Sequence, residues 1–140
     1  MRNRAVEGRV YNFLLQTWPV MPGRLRTIVA VSSDLFLQSR ITELAASLGV
    51  TARFVSDSEG LKRTLEADAF LVVLDLSSTE YEPFIIIQLV KTSWPSLRIL
   101  GFFPHVKYEL KTRAEKAGVD VVVPNSKFME TLKEMLAAEV

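Results

Sequence analysis

From Thr27 onward, short apolar runs alternate five times with segments whose apolar residues recur at helical spacing. The runs, which are the predicted strands, are TIVAV (27–31), ARFVS (52–56), FLVVLDL (70–76), RILGFF (98–103) and DVVVP (120–124). Nearly continuous Val, Ile, Leu and Phe is typical of strands that are buried on both faces. Strands that alternate with helices in this way form a parallel sheet covered by helices on both sides. The pattern therefore predicts a single α/β domain over residues 27–140.

The segments that separate and follow these runs predict five helices. The first has Ser33 or Asp34 available as its N-cap and Gly49 as its C-cap. The second covers about residues 58–67, the fourth about 106–117 and the last about 126–138. The fourth is followed by Gly118, a residue that readily adopts the positive φ of a helix C-terminus. Each of these helices has one apolar stripe for the sheet.

The third predicted helix, about residues 81–94, is more apolar than a single stripe requires. Its apolar residues cover roughly 200° of the circumference at about 100° per residue, and one sheet-facing stripe needs about half of that. They are Ile85, Ile86, Ile87, Leu89, Val90 and Trp94. Two interpretations follow. Either neighbouring loops or the N-terminal segment cover the excess, or an apolar patch is exposed for dimerisation or partner binding.

Composition excludes several kinds of site. The 140 residues contain no cysteine and one histidine, His105. Disulfides, thiolate metal sites, cysteine nucleophiles and sites with several histidine ligands are therefore excluded. No apolar run approaches the roughly 18 residues that span a bilayer. The N-terminal residues do not have the pattern of a signal peptide. We therefore expect a cytoplasmic protein without a membrane anchor, metal or cofactor.

The charge is unevenly distributed along the chain. Residues 1–26 contain five arginines and one glutamate, a net charge of +4, whereas residues 27–140 contain 12 basic and 15 acidic residues, a net charge of −3. The domain has no basic surplus for phosphates, so we do not expect it to bind nucleic acid. Pro19, Pro22 and Gly23 separate the first residues from the domain. Residues 1–26 are interpreted as an extension that is either a docking arm or disordered.

Candidate functional residues should lie where the strands end. In a doubly wound sheet, ligands bind at the carboxyl ends of the strands, near the point at which the strand order reverses. That edge would collect residues 32–34, 75–78, 103–105 and 124–126. No G-x-G-x-x-G, G-x-x-x-x-G-K-[ST] or G-x-S-x-G motif is present, so dinucleotide, P-loop and serine hydrolase sites lack their signatures.

Two segments resemble the receiver domains of two-component response regulators. FLVVLDLS resembles the family's strand that ends in an aspartate, and AEKAGVDVVVPNSKF resembles its A-x-x-A-G-A-D-x-Y-L-x-K-P-F stretch. The resemblance covers residues 27–138. It implies a flavodoxin-like fold, a doubly wound five-stranded parallel sheet of order 2-1-3-4-5 with helices on both faces.

The resemblance also assigns roles to positions of this chain. Asp75 falls on the phospho-acceptor position of working receivers. The acidic pair that holds Mg²⁺ there is replaced by Ser32 and Ser33, with Asp34 one residue later. The Ser/Thr that senses the phosphate corresponds to about Phe102, and the Lys that pairs with it corresponds to Asn125. Phosphoryl transfer depends on metal and cationic charge, so Asp75 is predicted to be a poor acceptor.

These observations predict a degenerate receiver, a non-enzymatic signalling or scaffold domain that contacts a protein partner and forms a homodimer. The degenerate pocket would comprise Ser32, Ser33, Asp34, Phe102, His105 and Asn125 beside the vestigial acceptor Asp75. The interaction surface would include Ile85, Ile87, Trp94, Lys107 and Lys111.

Plainer roles and other functions remain open. Asp75 can cap backbone N–H groups of its loop, Asp34 can stabilise a helix N-terminus, and His105 can cap or cover the next helix after Pro104. Two alternative functions are a receiver phosphorylated on Asp75 and a flavodoxin-like flavin or nucleotide binder that uses the hydroxyls of residues 77–79.

Overall fold

The five apolar runs form one parallel sheet in the computed structural model, which describes residues 26–65 and 69–139. The strands are β1 (Thr27–Val31), β2 (Thr51–Val55), β3 (Leu71–Asp75), β4 (Arg98–Phe103) and β5 (Val121–Pro124). Their order is β2-β1-β3-β4-β5, with every adjacent pair parallel. The predicted flavodoxin-like fold and strand order are confirmed. The predicted extension, apart from Arg26, and the end of the second predicted helix lie outside the described residues.

Five helices connect and follow the strands. They are α1 (Leu35–Ser47), α2 (Ser58–Leu65), α3 (Pro83–Ser93), α4 (Glu109–Ala117) and α5 (Phe128–Glu139). Two 3-10 turns, His105–Lys107 and Asn125–Lys127, precede α4 and α5 at places where the prediction had continuous helix. The third helix is shorter than predicted because Glu82 is its N-cap and Pro83 its first residue. A proline at that position has no N–H to leave unpaired.

Alternate residues of the central strands pack on opposite faces of the sheet. On one face, residues such as Val29, Val72, Leu74 and Ile99 meet the apolar sides of α2, α3 and α4. On the other, residues such as Ile28, Ala30, Val73 and Leu100 meet α1 and α5. The prediction of burial on both faces is wrong for β2, where Thr51 and Arg53 are exposed because this strand is an edge of the sheet.

Of the six apolar residues predicted for the third helix, one is exposed in the structure, Ile85, and Leu89 is partly buried. Ile86, Ile87 and Val90 are buried, whereas Ile85 is 60% exposed. Trp94, just after the helix, is partly buried against the same core. The prediction that Ile87 belongs to an interaction surface is wrong, because the Ile87 side chain is 0% exposed and faces the sheet. No helix among the described residues is long and apolar enough to cross a membrane.

The four residues 117–120, AGVD in the stretch AEKAGVDVVVPNSKF, connect β5 to the rest of the sheet. Gly118 ends α4 with φ of 104°, a left-handed conformation that glycine adopts without strain. The Asp120 carboxylate accepts hydrogen bonds from the backbone N–H of Ile99 (2.8 Å) and from Lys91 Nζ (3.0 Å). One side chain thereby joins the start of β4, the helix α3 and the turn before β5. The motif that carried the family resemblance has a structural role here.

Candidate functional site

A polar cleft of about 300 Å³ lies where the strand order reverses, between the carboxyl ends of β1 and β3. The loops after these strands form its walls. Its lining residues are Val31, Ser32, Asp34, Asp75, Ser77, Ser78, Thr79, Glu80 and Tyr81. Three of the predicted residues, Ser32, Asp34 and Asp75, are brought together there.

The carboxylate of Asp75 organises the loop that follows β3. Its Oδ1 atom accepts two hydrogen bonds from Ser77, one from the backbone N–H and one from the hydroxyl, both at 2.9 Å. Asp75 is partly buried. This geometry is the Asx type of turn, in which an aspartate at a strand end pairs with the backbone two residues later. The loop-capping role proposed for Asp75 is present in the structure.

Tyr81 is a site residue that the sequence analysis missed. Its hydroxyl accepts a hydrogen bond from the backbone N–H of Asp75 (2.8 Å) and donates one to the Asp75 carbonyl (2.9 Å). Burial raises the pKa of the Tyr81 hydroxyl well above its usual range, and the nearby charges of Asp75 and Glu80 act in the same direction. The only sequence signal was a tyrosine six residues after the strand-end aspartate. Nothing in that spacing specifies a hydrogen bond.

The raised pKa of Tyr81 predicts a loss of stability at high pH. The folded protein keeps the phenol proton at pH values where an unfolded tyrosine, with a pKa of about 10, has released it. The stabilisation is therefore complete below about pH 10 and is lost as the pH rises toward the folded pKa.

We expect urea denaturation to show a steeper fall in the free energy of unfolding above pH 10 for wild type than for Tyr81→Phe. The variant should also be less stable near pH 7, by roughly 1–3 kcal/mol, because it leaves two backbone groups without their partner. Equal slopes above pH 10 would contradict the assignment.

The carboxylate of Asp34 is hydrogen-bonded to the start of α1. Its Oδ1 atom accepts hydrogen bonds from the backbone N–H groups of Phe36 (3.0 Å) and Leu37 (3.2 Å). Asp34 is therefore the N-cap, one of the two candidates that the sequence offered. The hydroxyl of Ser32 accepts the N–H of Asp34 (3.0 Å) and so supports the same turn.

A hydrogen bond joins the two loops that form the cleft. The hydroxyl of Ser33 donates to the carboxylate of Glu80. Ser33 follows β1 and Glu80 follows β3, so the contact links the walls of the cleft at its outer rim. Glu80 was not singled out in the sequence, because an acidic residue in a surface loop carries no specific signal.

The residues around Asp75 do not fit the Mg²⁺ ion that the resemblance would imply. Mg²⁺ prefers carboxylate oxygens, but Ser32 and Ser33 stand at the positions of the acidic pair, and the Asp34 carboxylate caps α1. Across residues 26–65 and 69–139, no group of three or more His, Asp or Glu side chains is arranged to hold a metal ion. We therefore derive no metal-dependent step at this site.

Four members of the predicted pocket do not line the cleft. Ser33 contacts it only through its hydrogen bond to Glu80. Phe102 is 7% exposed and packs its ring against Phe128, with 4.3 Å between ring centroids. It pairs with Asp75 in the sheet register, but its side chain belongs to the core beside α5. His105 and Asn125 are exposed residues that each begin a 3-10 turn. The prediction of one pocket that includes these four residues is wrong in this respect.

The predicted interaction residues Lys107 and Lys111 lie around α4. Lys107 lines a second depression between α3 and α4, where the Arg113 guanidinium stacks on the Phe84 ring at 3.8 Å. Lys111 donates a hydrogen bond to Glu115 (2.7 Å), which raises the pKa of the lysine. Lys107 is exposed, and Lys111 is partly exposed within its pair.

No protein-family model and no curated protein matches this sequence. Solved structures do match it. The receiver domain of NtrX from Brucella abortus aligns with a TM-score of 0.68 at 15% identity, over 81% of this chain and 99% of the receiver. The receiver domain protein (CheY-like) from Methanospirillum hungatei JF-1 aligns with a TM-score of 0.67 at 15% identity, over 81% and 95%.

A third solved structure is also similar in fold at low sequence identity. The signal receiver domain of an HD domain-containing protein from Pseudomonas fluorescens Pf-5 aligns with a TM-score of 0.66 at 18% identity, over 83% of this chain and 95% of that domain. Identities this low establish the fold and leave the chemistry of the site to the residues of this chain. The chain has the CheY-like fold of response-regulator receiver domains.

Proposed function

We propose that this chain is a cytoplasmic, non-catalytic, receiver-like signalling domain that acts by protein–protein contact without phosphorylation of Asp75. One observation carries the proposal. Among the described residues, the cleft beside Asp75 is lined by three carboxylates, those of Asp34, Asp75 and Glu80, and by no Lys or Arg side chain. A phosphoryl group carries negative charge both in the phosphodonor and in the transition state of transfer. The carboxylates of this cleft would therefore repel it, and no cation among the described lining residues would neutralise its charge.

The remaining positions support the same conclusion. Oδ1 of Asp75 already accepts two hydrogen bonds from Ser77. Asn125, at the position of the phosphate-pairing lysine, is exposed and does not line the cleft. A lysine at position 125 would not be sufficient, because serines 32 and 33 stand where the resemblance places the metal-binding acidic pair. Asp75 is therefore better explained as a loop-stabilising residue than as an acceptor.

The flavin or nucleotide alternative has less support. In this alternative, the hydroxyls of residues 77–79 donate hydrogen bonds to a phosphate of the ligand. The Ser77 hydroxyl donates to Asp75 instead, and the Ser78 hydroxyl accepts the backbone N–H of Glu80 (3.1 Å). Three carboxylates beside these hydroxyls would repel a phosphate. Thermal stabilisation by FMN or ATP would favour this alternative, because a ligand of the native state raises its stability.

The contact surface that we propose lies on α4, β5 and α5, together with the exposed residue Ile85 of α3. Lys111 lies in α4 and Lys107 just before it, whereas Trp94 is partly buried against the core. We propose that the chain forms a homodimer through this surface. Light scattering at tens of micromolar should give twice the monomer mass of 15.8 kDa, and a monomer at that concentration would contradict this part of the proposal.

The direct test is the intact mass of the protein after incubation with acetyl phosphate and Mg²⁺. We expect no increase in mass for wild type, because the site has neither the metal ligands nor the cation that phosphoryl transfer requires. The matched control is Asp75→Asn, which removes the acceptor and keeps the size of the side chain. A phosphoryl group on wild type that is absent from Asp75→Asn would overturn the proposal.

A variant with the missing groups restored checks the physical cause. In Ser32→Asp/Ser33→Asp/Asn125→Lys, the acidic pair and the lysine stand again at the positions that the family resemblance assigns. If their absence is what prevents phosphorylation, this variant should gain one phosphoryl group under the same conditions. Adding Asp75→Asn should abolish the gain.

A further inference from the structure

The exposed apolar side chains are confined to one edge of the domain. Among the described residues, the large apolar side chains that are exposed are Leu35 (78%), Phe36 (74%), Ile85 (60%), Val106 (76%) and Tyr108 (62%). The first two begin α1, Ile85 lies in the first turn of α3, and the last two immediately precede α4. In a parallel sheet these positions all lie at the carboxyl ends of the strands. The edge with the Asp75 cleft is therefore also the apolar edge.

The same edge carries more acidic than basic residues near its exposed apolar side chains, with Lys62 paired to Glu59 (3.9 Å) and Arg40 over the Phe36 ring (6.0 Å) as the nearby basic groups. We consider the loops after β1, β2 and β3 together with the first turns of α1, α2 and α3, residues 32–38, 56–61 and 75–86. These segments contain six carboxylates and no Lys or Arg, and the six are Asp34, Asp57, Glu59, Asp75, Glu80 and Glu82. Leu35, Phe36 and Ile85 lie among them. An occupant of this surface must offer both apolar area and positive charge.

We propose that residues 1–25 of this chain bind this acidic, apolar edge, from the same molecule or from a second copy. The segment has the complementary chemistry. It contains four arginines against one glutamate, and its apolar residues include Val6, Val10, Phe13, Leu14 and Trp18. An aromatic and apolar segment with Arg side chains is the composition that interface cores favour. This inference goes beyond the proposed function, since it assigns an occupant to this edge of the domain.

The point at which the segment joins the domain permits this contact. Arg26 precedes β1 at the amino end of the sheet, and its position is set by hydrogen bonds from its guanidinium to the Leu48 carbonyl and from the Thr51 N–H to its own carbonyl (2.8 Å). The five residues of β1 rise about 16 Å along the sheet. Residues 19–25 can span up to about 23 Å. These residues are therefore long enough for the chain before them to contact the opposite edge.

The test uses the full chain with a photo-crosslinking side chain at the proposed surface. We would introduce Phe36→p-benzoylphenylalanine, irradiate the protein and identify the crosslinked peptides by mass spectrometry. The expected crosslinks join position 36 to residues 1–25. The control places the same probe at Lys116, an exposed residue in the last turn of α4, where no such crosslink is expected.

A charge-reversed variant tests the electrostatic part. Arg2→Glu/Arg4→Glu/Arg9→Glu, combined with the probe at position 36, should reduce the yield of this crosslink several-fold, and raised salt should reduce it in the parent. Crosslinks within a monomer or within a dimer both support the proposal and tell which copy supplies the segment. Crosslinks to other residues only, or none, would overturn it. The result does not depend on phosphorylation, so its failure is separate from a failure of the proposed function.

Discussion

Replacing Ile87 by alanine is expected to lower the free energy of unfolding by about 2–5 kcal/mol, whereas Ile85→Ala should cost less than about 0.5 kcal/mol. The two residues lie in the same helix, α3, and the substitution is chemically identical. Ile87 is fully buried against the sheet and Ile85 is 60% exposed. The change in helix propensity nearly cancels between the two variants, so the difference reports the lost burial and the cavity left behind.

Urea denaturation of both variants, beside wild type, would measure this difference. An unchanged slope with urea would indicate that the change is in stability and not in the unfolded state. Equal costs for the two variants would show that the orientation of α3 is wrong. A small loss of stability in Ile85→Ala would agree with the exposure of this side chain on the surface of the domain. Loss of self-association in that variant, with stability retained, would place Ile85 in the proposed homodimer contact.

Gly101→Val is expected to destabilise the protein by about 1–3 kcal/mol through overpacking. Gly101 lies in the buried central strand β4, where valine would otherwise suit a strand. A Cβ atom at this position would lie only 3.0–3.2 Å from three side-chain carbons of Leu76. Leu76 is 2% exposed and directly follows Asp75, so it has little room to move. The absence of a side chain at Gly101 therefore lets Leu76, the first residue of the loop after β3, pack closely against the sheet.

A double-mutant cycle with Leu76→Ala would isolate this contact. Leu76→Ala alone should cost about 2–5 kcal/mol because it leaves a cavity. In the combined variant the valine occupies part of that space, so the total cost should be less than the sum of the two single costs, by about 0.5–3 kcal/mol. Thermal or urea denaturation of the four proteins provides the measurement. Additive costs would mean that the two residues do not compete for the same space.

Much of the fold was predictable because the chain repeats one simple physical requirement. Each strand of a parallel sheet that is covered on both faces must be apolar along its whole length, and this requirement is visible in the sequence at β1, β3 and β4. The end of α4 at Gly118 was predictable for a similar local reason, since few residues other than glycine adopt its positive φ. Errors were largest at helix starts, where short 3-10 turns replaced the expected helix.

The candidate site was predicted only in part. Strand ends identified Asp75, Ser32 and Asp34 as neighbours, because the carboxyl ends of adjacent parallel strands share one edge of the sheet. Whether a side chain near a strand end lines the cleft or packs in the core was not predictable. Phe102 pairs with Asp75 in register, yet its ring packs against Phe128 in the core. Tyr81 reaches back to the Asp75 backbone through a loop whose course no local pattern specifies.

The sequence by itself determined the class of fold, the order of its elements along the chain and the absence of cysteine chemistry. These are properties of composition and of short-range periodicity, which do not depend on distant contacts. Only the tertiary structure decided that Ile87 is core and Ile85 is surface, that Asp75 and Tyr81 hold one loop, and that carboxylates and exposed apolar side chains share one edge. Those properties depend on which side chains meet across the fold, and packing between residues far apart in the chain determines them.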